Sequence, residues 1–129
     1  MDQFTLKTTL PASPEAIFQA WLSSKGHSAM TGSPAEVEPG DTGAFKAWDG
    51  YIWGKTLEVE PHVRILQAWR TSEFPEGSPD SLVAIHLKAI DGGTELTLAH
   101  TQIPEGQGNS YRQGWQDFYF TPMQAYFSR

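Results

Sequence analysis

The last 21 residues, NSYRQGWQDFYFTPMQAYFSR from Asn109 to Arg129, constrain the fold more than any other part of the chain. They carry aromatic rings at Tyr111, Trp115, Phe118, Tyr119, Phe120, Tyr126 and Phe127, with no glycine after Gly114. Steps of three and four connect Tyr111, Trp115, Phe118 or Tyr119, Pro122 and Tyr126 into one broad stripe of a helix. Arg112, Gln116 and Gln124 fall off that stripe. Each large ring hides roughly 150–250 Å² when buried, so the helix needs a concave surface to receive it. Pro122 removes an interior hydrogen bond, and a bend or a restart is expected there. Two readings of the stripe stay open: the core helix of an ordinary domain, or a lid over a ligand cavity.

What precedes this helix reads mostly as strands. Phe4 to Leu10 alternates apolar and polar residues and is rich in threonine, and Pro11 ends it. Ser13-Pro14-Glu15 is a helix start, and Ile17, Phe18, Trp21 and Leu22 form the apolar face of a short helix. Ser23 to Gly26 is expected to break it, with another turn or two from His27 to Met30. Val37 lies in a short strand before Glu38-Pro39-Gly40-Asp41, a turn by composition. Gly43–Trp48 and Tyr51–Val59 form a hairpin across Asp49-Gly50, and Gly54 suggests a bulge or a close backbone approach. Glu60-Pro61-His62 turns into a strand in which Val63, Ile65, Gln67 and Trp69 should face inward. Residues 74–80, FPEGSPD, read as a loop. Leu82–Ile90 and Thr94–Thr101 form a second hairpin, with Val83, Ile85, Leu87, Leu96, Leu98 and His100 inward and His86 outward. The order fits an α+β fold: a curved antiparallel sheet of about six to seven strands around a long C-terminal helix, with one or two short helices after the first strand.

At 129 residues the chain reads as one domain, 1–129, long enough to bury roughly two thirds of its unfolded surface. A net charge of −6 disfavours a nucleic-acid partner. The absence of cysteine excludes disulfides and thiolate chemistry. The N-terminus has no apolar leader region and no run approaches the length of a membrane span, so a cytoplasmic protein with no membrane partner is expected.

GAFKAWDGYIWGK, the Pro61–Trp69 strand, FPEG at 74–77, GGTELTL at 92–98 and YRQGWQDFYFTPMQAYF at 111–127 resemble the family of activators of heat-shock protein 90 ATPase. The resemblance is to the C-terminal domain of those proteins and to free-standing single-domain homologues, and Gly114-Trp115 is its most specific piece. It implies the helix-grip fold of the START and birch-pollen-allergen-like superfamily (SRPBCC), with a cavity between sheet and last helix. It also implies a heat-shock protein 90 chaperone as partner and a place in the stress response. A chain of this length does not hold the separate N-terminal chaperone-binding domain of the full activator, so it is not expected to stimulate a chaperone ATPase by itself.

Motifs for chemistry are sparse. His27, His62, His86 and His100 lack metal-ligand spacing, so neither a metal nor a cofactor is expected. Gly26-His27-Ser28-Ala29-Met30 begins like a nucleophile elbow but lacks the final glycine and the preceding strand. Gly106-Gln107-Gly108 before a helix is a weak phosphate signal, and the acids Glu36, Glu38, Asp41, Glu58 and Glu60 read as solvated surface. The leading expectation is therefore a non-enzymatic binding domain whose cavity accepts a small, mostly apolar ligand. Its wall candidates are Trp48, Trp53, Trp69, Leu98, Trp115, Phe118 and Tyr119, with Gln67 and His100 as polar handles. A module contacting a heat-shock protein 90 chaperone is the alternative, and an enzyme resembling the polyketide cyclases and aromatases of the superfamily the third reading. Trp115 should be the most buried ring, and Gly114 should lie where the helix passes too close to the sheet for a Cβ.

Overall fold

A computed structural model of the chain describes residues 1–38 and 43–129. Of the turn read at Glu38 to Asp41, residues 39–41 lie outside the described residues. Strand β1 (Asp2–Leu10) leads into helices α1 (Pro14–Trp21) and α2 (Ser24–Thr31). Strands β2 (Glu36–Val37), β3 (Ala44–Ala47), β4 (Ile52–Glu60), β5 (Arg64–Thr71), β6 (Ser81–Ile90) and β7 (Gly93–Ile103) follow. They form one seven-stranded antiparallel sheet, ordered β1-β7-β6-β5-β4-β3-β2. The C-terminal segment packs on its inner face, giving the helix-grip architecture. Among the described residues, no helix is long and apolar enough to cross a membrane.

Strand parity carries the core. Ile65, Gln67 and Trp69 of β5, Val83, Ile85 and Leu87 of β6, and Leu96, Leu98 and His100 of β7 are all buried on one face. His86 and the turn residue His62 are exposed. Val63 was expected inward but is 43% exposed, because the strand begins only at Arg64, after His62 takes a φ of 67° in the turn. At Gly54 an added Cβ would stand 1.9 Å from the carbonyl oxygen of Ala68 on β5. The close approach is therefore real, and the bulge lies further along, between Thr56 and Glu58.

The N-terminal helices start on serine caps. Ser13 Oγ accepts from Ala16 N–H, with Pro14 in the first turn of α1. Ser23 Oγ accepts from Gly26 N–H, so Ser24 to Gly26, expected to break the helix, instead form the first turn of α2. That helix carries His27, Met30 and Thr31 into the core.

The final segment is not one regular helix. Helix α3 (Gly108–Trp115) passes into a π-helical stretch, Gln116–Phe120, and α4 (Thr121–Phe127) resumes with Pro122 in its first turn. Thr121 N–H reaches back five residues to Gln116 C=O. The expected restart is thus present, with the register change on the N-terminal side of the proline. One wide turn shifts the phase of the stripe: Tyr119, Phe120 and Met123 are buried, whereas Phe118 is 54% exposed. Phe120 is fully buried and Trp115 is 3% exposed, so Phe120 takes the place expected of Trp115 as the most buried ring.

Candidate functional site

The β3–β4 turn, β5 and the α3–π segment enclose a cleft of about 330 Å³. Trp48, Tyr51 and Ile52 line it from the turn and the start of β4, and Trp69 from β5. Ser110, Tyr111, Gly114, Trp115, Phe118 and Tyr119 line it from the C-terminal segment. The rings interlock behind it. Trp115 lies 4.7 Å from Tyr119 and 5.6 Å from Trp69 between ring centroids, and Trp69 meets Tyr111 edge-on at 5.1 Å. Phe118 and Trp48 meet edge-to-face at 5.2 Å, next to the exposed Tyr51.

Five of the nine residues singled out from sequence, Trp48, Trp69, Trp115, Phe118 and Tyr119, come together here. The other four do not. Trp53 is 37% exposed on the outer face of the sheet, opposite Arg70, whose guanidinium lies 6.0 Å from the indole centroid. Ile52 holds the inward position at the start of β4, and alternation turns its neighbour out. Leu98 is fully buried in the core. Gln67 accepts from Trp21 Nε1–H and donates to Thr56 Oγ1, both at 3.2 Å, so its amide is spent inside the core.

His100 is likewise spent. Trp115 Nε1–H donates to His100 Nδ1 at 3.0 Å, and His100 Nε2 lies 2.8 Å from Ser81 Oγ, which itself donates to Trp69 C=O. One tautomer satisfies all three bonds, with the proton on Nε2. Burial drives this imidazole down to a pKa of about 3. His100 therefore fixes the tilt of Trp115 from behind rather than facing the cleft.

A second histidine, which sequence reasoning passed over, does the same for Tyr119. His27 Nδ1–H donates to Trp21 C=O at 2.9 Å, and Tyr119 O–H donates to His27 Nε2 at 2.7 Å. Burial lowers His27 to about 4, against a smaller opposing effect of the Trp21 carbonyl. The Tyr119 hydroxyl is thus bonded to a neutral imidazole. Sequence reasoning also missed Tyr51, Ile52, Ser110, Tyr111 and Gly114 as lining residues; only Tyr111 had a signal, its place on the aromatic stripe.

The titratable side chains that line the cleft are tyrosines. Burial raises Tyr111 and Tyr119 above the ordinary phenol range, and burial together with the Glu73 hydrogen bond pushes Tyr51 up to about 12. Tyr111 O–H donates to Gln107 Oε1 and shares a second hydrogen bond with Thr71 Oγ1, each at 2.7 Å. Gly114, expected at a tight contact, has open space where its Cβ would be, the nearest atom being Phe118 Cδ2 at 3.9 Å. The glycine loop before α3 is occupied by the chain itself: Asp2 Oδ2 accepts from Gly106 N–H at 3.0 Å and from Gly108 N–H at 2.9 Å. A carboxylate already fills that anion nest.

Known proteins share both sequence and architecture. The human activator of 90 kDa heat shock protein ATPase homolog 1 is 33% identical over 127 residues, which is 97% of this chain and 37% of that protein. The chain thus spans little more than a third of the length of this relative. The crystal structure of an HSP90 activator from Plasmodium falciparum superposes with a TM-score of 0.80 at 24% identity, covering 92% of this chain and 90% of that one. A Chromobacterium violaceum protein superposes at 0.79, also at 24% identity, over 98% and 97% of the two chains. At that identity the two structures bear on the fold alone. The profile of the Activator of Hsp90 ATPase homolog 1-like proteins matches residues 11–128, from the end of β1 through the aromatic segment, and the chain belongs to that family.

Proposed function

We propose that residues 1–129 act as one non-catalytic binding domain of this family, whose aromatic cleft accepts a small, mostly apolar ligand. The observation that carries the reading is the lining of the cleft: a wall of rings whose titratable groups are tyrosines held above their usual range. Such a wall recognises shape and apolar surface and has no group that exchanges a proton near neutral pH. The two buried histidines lie behind it, neutral and fully bonded. A cleft of about 330 Å³ suits a molecule of one to three rings.

The test is titration of a hydrophobic fluorescent probe and a panel of small aromatic compounds into wild type and Gly114→Leu. A Cβ at Gly114 meets only Phe118 Cδ2, at 3.9 Å, and Gly114 lines the cleft, so the larger side chain is expected to take up cleft space. Wild type is expected to bind panel members below about 1 mM, and Gly114→Leu to lose that binding while melting normally. Absence of binding to wild type, or equal binding by the variant, overturns the reading.

A second reading, contact with a heat-shock protein 90 chaperone, is favoured by the 33% identity to the human activator across 97% of this chain. Calorimetry with the host's own chaperone tests it, and no heat of binding at roughly 100 μM would exclude it. Stimulation of the chaperone's ATPase by this polypeptide is expected to stay below about two-fold. Coupling two contacts through a linker raises avidity by roughly 10²–10⁴, and one contact forgoes that gain.

A further inference from the structure

We propose that Trp48 selects what the cleft takes, and that the preferred ligand is a planar, uncharged aromatic molecule bearing a hydrogen-bond acceptor such as a ketone oxygen. This rests on the cleft-binding reading above and adds to it a chemical class and a residue that recognises it.

The starting observation is an orphan. Trp48 Nε1 is buried and meets no hydrogen-bond acceptor among the described residues. An indole nitrogen only donates, and a buried donor without a partner is a standing cost that native proteins rarely leave in place. The neighbouring groups of the same wall have spent theirs: Trp115 N–H on His100, Tyr119 O–H on His27, and Tyr111 O–H on Gln107. Trp48 alone of these holds a donor in reserve.

Trp48 also differs from the other rings of this wall in the backbone that holds it. It sits outside the strand ladder, in the β3–β4 connection, at a φ of 51°, followed by Asp49 at 56°. Left-handed backbone at a bulky residue is uncommon and recurs at ligand-contacting sites. Its ring contact is Phe118, itself 54% exposed. Trp69, across the cleft, is clasped by Phe74, His100, Tyr111 and Trp115. Trp48 lines the cleft together with Trp69 and Trp115, so an acceptor on a ligand lying there is the partner proposed for its N–H. No lysine or arginine lines the cleft, so a neutral acceptor is favoured over a carboxylate, which would be desolvated without a counter-charge.

The experiment compares 1-indanone with indane, two bicyclic probes of matched shape that differ by one carbonyl. Wild type is expected to bind the ketone roughly ten-fold more tightly than the hydrocarbon, as one hydrogen bond to a donor otherwise unsatisfied provides. Trp48→Phe should bind the two probes equally, whatever indane affinity the smaller ring leaves, and a cooperative melting transition shows that it folds. In wild type, the indole N–H proton resonance that disappears in Trp48→Phe should shift downfield with indanone and stay in place with indane. Equal affinity of wild type for the two probes, or a preference that survives in Trp48→Phe, overturns the proposal while leaving cleft binding intact. Failure of wild type to bind either probe overturns both readings together.

Discussion

Gly114 and Tyr119 both face the cleft, and their neighbours give them opposite sensitivities. A Cβ at Gly114 would meet Phe118 Cδ2 at 3.9 Å, an ordinary van der Waals contact, within a helical stretch where glycine is entropically poor. Gly114→Ala should therefore stabilise the protein by roughly 0.5–1 kcal/mol, read as a raised melting temperature; a lower one would mean that the helix packs closely at this position. Tyr119→Phe should do the reverse. It leaves His27 Nε2 buried without its donor, at a cost of about 1–3 kcal/mol. A urea midpoint unchanged from wild type would show that the Tyr119–His27 bond adds nothing to the fold. The Tyr119 hydroxyl finds a polar neighbour inside the core. That the neighbour is an imidazole 92 positions away in the chain is a fact of packing that no local pattern encodes.

Among the elements, the β4–β5 pair and the C-terminal segment differ in how closely they follow their sequence patterns. The pairing of Gly54 with Trp69 brings the Ala68 carbonyl to where a side chain would start. Gly54→Ala cannot be relieved by a rotamer change and should cost several kcal/mol, roughly 3 or more, because backbone must move. Expression of a cooperatively melting Gly54→Ala variant within about 1 kcal/mol of wild type would refute the close approach. Both hairpins with glycine turns were legible for the same reason: the turn and the period-two alternation on either side specify the same register. The C-terminal helix was legible in existence but not in phase. The five-residue reach from Thr121 to Gln116 adds a fraction of a turn, sends Phe118 to the rim and draws in Phe120 and Met123. A periodicity of 3.6 has no means of announcing that.

Across the whole molecule the two buried histidines set an expected acid response. Each is lowered from an ordinary value of 6.5, His27 to about 4 and His100 to about 3. Between those values and 6.5 the unfolded chain binds protons that the folded chain refuses, so stability is complete above about pH 6.5 and declines as pH falls toward 4. Each histidine contributes a slope of up to about 1.4 kcal/mol per pH unit in that window. Melting temperatures measured from pH 7 to pH 4.5 should fall steadily, and replacing either histidine by glutamine should reduce the slope whatever it does to absolute stability. A flat profile through pH 5 would mean that the imidazoles are reached by water.

The sequence by itself determined the sheet, its inward and outward faces, the two glycine hairpins, the serine-capped start of α1 and the aromatic C-terminal helix, because each is dictated by contacts within a few residues or by strict alternation. The resemblance carried by Gly114-Trp115 and the surrounding aromatics also pointed to the family that the profile match bears out. Only the tertiary structure decided which rings meet. Trp53 was a wall candidate on ring type alone and stands on the outer face, opposite Arg70. Gln67 and His100 were taken for handles and became braces, since a buried amide or imidazole bonds to whatever polar group lies within about 3 Å, and those partners come from other strands and helices. The π turn then fixed which rings of one helix reach the cleft and which hold it from behind, a choice made by the space between sheet and helix.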